Sequence, residues 1–178
     1  MLTDEELFRR YRKGDMEAFR DLYARYRRSL YLYLLRSVSN EAEADDLYQD
    51  AWYRVIHAKE RFTDGSFRAW LFRIARNLRI DGFRRRHLRL VPEPSEPAEW
   101  PDPAAAPDEL AHSDDCSERL KSGLRQLPQE QRDVFLLKEE SGLTLEQIAD
   151  MLALGRETIK SRLRYALKQL RKMLEDCV

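Results

Sequence analysis

The stretch TLEQIADMLALGRETIKSRLRYALKQLRK, residues 144–172, decides the fold of this chain, because it predicts two short helices around a tight turn. The second helix combines an apolar stripe with a separate cationic face. The apolar residues recur every three or four positions and are Ile159, Leu163, Leu167, Leu170 and Leu174. The cationic residues are Lys160, Arg164, Lys168 and Arg171. One face can therefore pack on the domain while the other meets phosphates and bases.

Local signals support a turn between these helices. Thr144 has the position of an N-cap, and Gln147 follows three residues later, at the spacing of a capping box. Gly155 can take the positive φ that a tight turn requires. Two interpretations of the helix pair stay open at this point. It is either a DNA-reading helix-turn-helix or an amphipathic hairpin whose cations are merely solvated.

Helical periodicity covers most of both ends of the chain, whereas sustained period-two alternation is absent from the sequence. The expected fold class is all-α, with two small helical domains joined by a Pro-rich acidic linker. The net charge of zero hides a split, since residues 1–91, 92–115 and 116–178 carry +6, −8 and +2. Two basic lobes on an acidic tether are typical of a nucleic-acid protein. The expected boundaries are 1–90, 91–115 and 116–178.

The linker from Val91 to Asp115 carries six of the seven prolines, so we expect it to be extended and disordered when free. Its Trp100 is either an anchor onto a partner or an incidental exposed residue.

The only two cysteines, Cys116 and Cys177, lack metal-ligand spacing, which favours unpaired, reduced thiols and a cytoplasmic location. No apolar run is long enough for a signal or membrane segment.

The first lobe is predicted to contain four helices, and the aromatic face of the second should form core. Asp15 and Ser66 are the expected N-caps of the second and fourth. The third helix has a polar side that is either a solvated acidic face or a docking face for a basic helix of a partner. That side consists of Asp46, Gln49, Asp50 and Tyr53. The predicted helices span about residues 3–12, 15–37, 41–60 and 66–88.

The fourth helix interleaves arginines with aromatic residues, which is typical of a surface that holds a nucleic-acid backbone and stacks on unpaired bases. Trp70 is either a core residue or such a base platform. Asn77 is an uncharged amide within this basic region, and it can donate to and accept from a base edge at once.

An enzyme is not expected from the sequence. It has no phosphate-cradling glycine loop and no metal-ligand spacing. The three histidines, His57, His87 and His112, are far apart and have no nucleophile motif beside them. No metal or cofactor is predicted.

The chain resembles a bacterial RNA polymerase sigma factor of the extracytoplasmic-function group. The resemblance covers about residues 8–88 and 118–174. It implies an alternative sigma factor that binds core polymerase, directs it to promoters and promotes initiation through −35 duplex recognition and −10 strand capture. The stretches that carry it, in register, are KGDMEAFRDLYARY, EADDLYQDAWYRV, FRAWLFRIARNLRIDGFRRR and LPQEQRDVFLLKEESGLTLEQIADML, followed by the basic helix.

The resemblance also implies which residues make contacts. Docking on the clamp helices of the polymerase β′ subunit is implied for Asp46, Leu47, Gln49, Asp50 and Tyr53. Capture of the −10 strand, with Asn77 at an extruded base, is implied for Phe62, Ser66, Trp70, Arg76, Asn77 and Arg79. Recognition of the −35 duplex is implied for Lys160, Ser161, Arg162, Arg164 and Tyr165. Further implied partners are the polymerase β flap, promoter DNA and an anti-sigma factor.

Two residues depart from the family pattern, and two competing functions stay open. Ala153 stands where relatives frequently have Gly, so we expect altered turn geometry or strain. Glu157 also replaces a frequent Gly, and its carboxylate would repel a nearby phosphate.

The main alternative function is a stand-alone helix-turn-helix regulator, which would footprint a promoter without polymerase. The third is a helical adaptor that binds no DNA.

Overall fold

The computed structural model describes residues 2–88 and 115–175. Within these two ranges all regular secondary structure is helical, which confirms the predicted all-α class. The predictions for most of the linker, for Trp100 and for Cys177 fall outside the described residues.

The first lobe has the four helices that were predicted. α3 ends a few residues earlier than expected and is followed by one 3₁₀ turn, Lys59–Arg61. α2 contacts the other three helices of the lobe. The helices are α1 (Asp4–Arg12), α2 (Met16–Ser37), α3 (Glu41–His57) and α4 (Phe67–Leu88).

The second lobe is built around its last helix, which packs on the other three. Ile159, Ala166 and Leu170 are buried, and Leu163 and Leu167 pack half-buried against the core. The predicted apolar face is confirmed, although Leu174 lies just after the helix and is half-buried. The helices are α5 (Asp115–Gln126), α6 (Gln129–Glu139), α7 (Leu145–Leu152) and α8 (Arg156–Met173).

The predicted N-caps are confirmed. The Asp15 carboxylate accepts hydrogen bonds from the first-turn amides of α2 at 3.1 and 3.2 Å. The Ser66 hydroxyl accepts from the amide of Ala69 at 3.2 Å and so begins α4. Thr144 and Gln147 form a complete capping box, with each side chain accepting from the other residue's amide. These bonds satisfy amides that a helix start otherwise leaves unpaired.

The turn between α7 and α8 uses a different residue from the one expected. Ala153 ends α7 in the left-handed region, at φ 54° and ψ 44°. Gly155 has φ −66° and serves as the N-cap of α8, so the prediction that it takes a positive φ is wrong. The predicted strain at Ala153 is confirmed by its dihedrals, because a left-handed conformation costs a residue with a Cβ about 1–2 kcal/mol.

Replacing this alanine should therefore stabilise the chain. We expect Ala153→Gly to raise the free energy of unfolding by about 1 kcal/mol, since glycine adopts this conformation without steric penalty. The matched control is Ala69→Gly inside α4, which should lower it by about 1 kcal/mol. Urea titration followed by circular dichroism measures both changes. A loss of stability at position 153 would contradict the strain argument.

Aromatic side chains fill much of the first lobe, as the pattern of α2 predicted. Trp52 of α3 is buried, with its ring 4.9 Å from that of Tyr23 and 5.8 Å from that of Phe19. Leu22 and Leu30 of α2 are fully buried beside them. Burying side chains of this size is the main favourable term for so small a lobe.

The two lobes pack against each other along a surface that we call the seam. It joins α2 to α6 and α4 to α7. In each of the three polar contacts between the described lobes, an arginine of the first lobe meets an oxygen of the second. The pairs are Arg79 Nη2 with Asp133 Oδ1 at 2.8 Å, Arg36 with the Glu140 carboxylate, and Arg68 Nη1 with the Gly142 carbonyl at 3.5 Å.

Cys116, near the start of α5, is disulfide-bonded. The prediction of an unpaired, reduced thiol is therefore wrong for this residue. As for membranes, none of the described helices is long and apolar enough to cross a bilayer.

Candidate nucleic-acid and protein interfaces

α8 presents the first candidate interface. Lys160, Arg164 and Tyr165 are exposed, and the Arg164 guanidinium lies 5.3 Å from the centre of the Tyr165 ring, which is 49 % exposed. A cation held against an aromatic face is oriented without being buried. The exposed face thus carries two cations and a ring, and Arg164 is already positioned against that ring.

The other two α8 candidates are less accessible. Ser161 and Arg162 are half-buried, and Arg162 Nη2 pairs with Glu130 Oε2 of α6 at 2.6 Å. Arg162 can reach a phosphate only by sharing or leaving that carboxylate. Glu157 is exposed in the first turn of α8, where its negative charge suits the helix dipole. The same charge would repel the phosphates of a DNA backbone bound at this end of the helix.

The candidates for the −10 strand form two groups along α4. Phe62, Ser66 and Trp70 lie at its amino-terminal end, while Arg76, Asn77 and Arg79 lie farther along. Trp70 and Asn77 are separated by two helical turns, about 10 Å, and so share one side of the helix. The amide of Asn77 is exposed. A base extruded beside Asn77 would have its neighbouring nucleotides along the same side.

The amino-terminal group belongs to a packed aromatic cluster. The Trp70 ring lies 5.2 Å from that of Phe62, 5.4 Å from that of Phe8 and 6.0 Å from that of Phe67. Phe62 is only 7 % exposed, and its carbonyl accepts from Arg12 Nη1 at 3.0 Å. Trp70 is half-buried, so it serves partly as core and partly as surface. Phe8 was missed by sequence reasoning, because nothing local marks a helix α1 residue as a neighbour of α4.

The two arginines of the second group are not equally accessible. Arg76 is half-buried, whereas Arg79 is 9 % exposed and bound to Asp133 across the seam. Arg79 therefore has no open surface in this arrangement of the lobes. The −10 contact that the resemblance implies for Arg79 stays a prediction, and the carboxylate contributed by α6 has no local signal in the sequence.

The seam also buries a polar cluster that the sequence did not reveal. Asp133 Oδ1 accepts from Gln129 Nε2 at 2.6 Å as well as from Arg79. Burial lowers the pKa of Arg132, and the nearby Arg79 lowers it further, while Asp133 opposes both effects. The hydroxyl of Tyr33 faces the same charges, and burial raises its pKa to about 12. The buried Asp133 carboxylate thus binds Arg79 and also acts on the charge of Arg132.

α3 presents the third candidate interface. Asp46, Gln49, Asp50 and Tyr53 are all exposed on one side of the helix, as predicted. The Tyr53 ring stacks on His57, with the ring centres 3.9 Å apart. Leu47 is 7 % exposed and packs in the core, so in the free chain it supports this face from beneath. The docking role that the resemblance implies for Leu47 stays a prediction.

Comparisons with known proteins agree on one family. The family model for sigma-70 region 2 matches residues 22–89, and that for sigma-70 region 4 matches residues 123–172. The ECF RNA polymerase sigma factor SigW of Bacillus subtilis is 30 % identical over 174 residues, which cover 93 % of this chain and 93 % of SigW.

Two solved structures share the fold along nearly the whole chain. CnrH, in complex with the cytosolic domain of CnrY, has a TM-score of 0.70 at 28 % identity and covers 97 % of both chains. The sigma factor RpoE of Bartonella quintana, in complex with the anti-sigma factor NepR, has a TM-score of 0.68 at 26 % identity. It covers 88 % of this chain and 96 % of its own. The chain belongs to the sigma-70 family of RNA polymerase sigma factors, within the extracytoplasmic-function group.

Proposed function

We propose that this sigma factor divides promoter recognition between its lobes: α3 docks on core RNA polymerase, α4 captures the melted −10 strand and α8 reads the −35 duplex. The observation that carries the proposal is the exposure of three separate faces of suitable chemistry, one on each of these helices. The chain then acts by binding alone and performs no chemical step. Because its partners are polymerase and promoter DNA, we propose that it acts in the cytoplasm.

The α8 face suits duplex recognition. A helix fits the major groove of B-DNA, where arginine and lysine pair with the acceptors of guanine. Lys160 and Arg164 are one helical turn apart and exposed, so both can reach base edges in a single groove. Phosphate contacts from neighbouring cations would fix the position of the helix without selecting a sequence.

The α4 face suits a single strand. Asn77 offers a donor and an acceptor to one base edge, and the half-buried Trp70 offers part of a ring for stacking. Extruding a base costs a few kcal/mol, which stacking and hydrogen bonds of this kind offset. Strand capture here stabilises a promoter that has already opened.

The α3 face suits a basic protein helix. Two exposed carboxylates lie one turn apart beside an exposed aromatic ring. Charge complementarity of this type speeds association and fixes the register of a complex. An anti-sigma factor is the remaining proposed partner, since the similar RpoE was solved with one.

The decisive experiment is in-vitro transcription with purified core polymerase on a promoter library. We expect open complexes on a subset of promoters only when the chain and the core enzyme are both present. A stand-alone regulator would instead protect specific DNA from cleavage without polymerase. Tethering both DNA-binding lobes to one enzyme makes two weak contacts strong together, so the chain alone should footprint poorly. Failure to form open complexes on any library member would refute the proposal.

The role of Asn77 can be tested on its own. We expect Asn77→Ala to reduce open-complex formation about tenfold and to abolish the preference at one position of the −10 element, because a lost base contact is worth about 1–3 kcal/mol. Transcription from templates carrying every single-base change in that element measures both effects. Gln126→Ala removes an exposed amide from α5 and should change neither. Retention of every base preference in Asn77→Ala would rule out its direct contact.

A further inference from the structure

A cationic surface lies at the carboxyl-terminal end of α1, beside the 3₁₀ turn that follows α3. We call it the α1 patch, and its members are Arg9, Lys13, Lys59 and Arg61. Lys59 is half-buried and the other three are exposed. Arg9 and Lys13 are about one helical turn apart, so their side chains lie near each other on α1.

The two elements of the α1 patch are held together by contacts that the sequence did not reveal. Arg12 Nη1 donates to the Phe62 carbonyl at 3.0 Å, and its Nη2 pairs with Glu60 Oε2 at 3.2 Å. Lys59 Nζ lies 5.5 Å from the centre of the Tyr11 ring. Because these contacts join α1 to the turn, the cations of both elements form one surface.

Carboxylates close to the α1 patch already have partners. Glu60 pairs with Arg12, and Glu6 completes the capping box at the start of α1. Glu5 accepts a hydrogen bond at 3.1 Å from the first amide of α4. Asp64, in the loop after the turn, stays exposed. The patch therefore presents an excess of positive charge to solvent, and anions of a partner can approach it.

The α1 patch adjoins the aromatic cluster at the start of α4. Arg9 follows Phe8 directly in the chain, and Arg61 directly precedes Phe62. The rings of these two phenylalanines lie 5.4 and 5.2 Å from the ring of Trp70. A strand that lies along α4 and passes the half-buried Trp70 ring would meet the patch next. Cations beside an aromatic platform are typical of surfaces that bind single-stranded nucleic acid.

We propose that the α1 patch binds the phosphates of the single-stranded promoter DNA immediately downstream of the −10 element. The inference rests on the proposed function of α4. Strands must be separated from the −10 element as far as the transcription start, so the captured strand continues unpaired on that side. Phosphate contacts carry no sequence information, so the patch holds this segment whatever its bases are.

The test uses holoenzyme assembled from the full chain and core polymerase. Fluorescence anisotropy measures its affinity for a labelled single strand that carries a −10 element selected from the promoter library. The strand ends at that element or continues downstream by six nucleotides, in two unrelated sequences. The variant is Lys13→Gln with Arg61→Gln, which removes one cation from each element of the patch. The matched control is Arg27→Gln with Arg28→Gln, which removes two exposed cations from α2 of the same lobe.

We expect the downstream extension to tighten binding of the wild-type holoenzyme, and the patch variant to lose about tenfold of that gain, the combined effect of two exposed ion pairs. The loss should be the same for both downstream sequences. The slope of log affinity against log salt concentration should fall by about 1.4 in the patch variant, since each phosphate contact to a single strand contributes about 0.7. The control should keep the full gain.

The inference is overturned if the patch variant keeps the full gain from the extension, or if the control loses as much of it. A loss confined to one downstream sequence would show base recognition and would overturn it as well. Weaker binding of the patch variant to core polymerase, measured separately, would assign the patch to a protein interface instead. The proposed function fails by a different result, which is that wild-type holoenzyme does not bind the unextended −10 strand.

Discussion

Reversing two charges on α3, in the double variant Asp46→Arg and Asp50→Arg, should weaken binding to core RNA polymerase at least about 100-fold, or roughly 2.7 kcal/mol. The reason is that two exposed carboxylates on one side of the helix become cations facing the basic helix proposed as their partner. Like charges across an interface both remove attraction and add repulsion. Surface plasmon resonance with immobilised core enzyme measures the loss.

The matched control reverses two exposed carboxylates elsewhere in the lobe, Glu17 and Asp21 of α2. It changes the net charge by the same amount, so any difference between the double variants reports position and not charge. Circular dichroism should show both folded, because none of the four side chains is buried. Equal weakening by the two double variants would remove α3 from the docking surface.

Arg164→Ala should lower transcription from the preferred promoter about 5- to 150-fold, the range that corresponds to 1–3 kcal/mol for a base contact. Arg164 is exposed and oriented by Tyr165, so its loss removes a positioned donor pair and leaves the helix intact. The loss of transcription should depend on the promoter sequence, and the base preference at one position of the −35 element should disappear. Transcription from a library of −35 variants at two salt concentrations measures it.

Arg125→Ala removes an exposed arginine from α5 of the same lobe and should leave the −35 preference unchanged. The salt series separates the possible roles of Arg164. If Arg164 contacted a phosphate, its loss would weaken binding uniformly across the library. The slope of log affinity against log salt concentration would then fall by about one unit. That pattern would contradict base recognition by Arg164.

The helices could be predicted because their signals are local. The apolar stripe on α8, the Asp15 cap and the Thr144 capping box each depend on residues within a few positions of one another. The turn could not be predicted in the same way. Either Ala153 or Gly155 can end a helix, and the choice depends on how α7 and α8 pack, which a local pattern does not contain.

The candidate interfaces were predictable where a face is defined by one helix and not where it is defined by two. The exposed side of α3 follows from its own periodicity, although Leu47 proved to be on the buried side. The engagement of Arg79 depends on Asp133, which is more than fifty residues away and in another lobe. The contribution of Phe8 beside Trp70 has the same origin. Tertiary contacts of this kind leave no signature in a single sequence.

The polarity of the seam has a consequence for how the free factor moves through a cell. A genome offers an enormous excess of non-specific sites, and their attraction grows with the number of cations a protein presents. Arg36, Arg68 and Arg79 are turned inward onto acceptors of the same chain, so a free molecule presents fewer cations to bulk chromosome. Fewer molecules are then held on irrelevant DNA, and more stay available to meet an unoccupied polymerase.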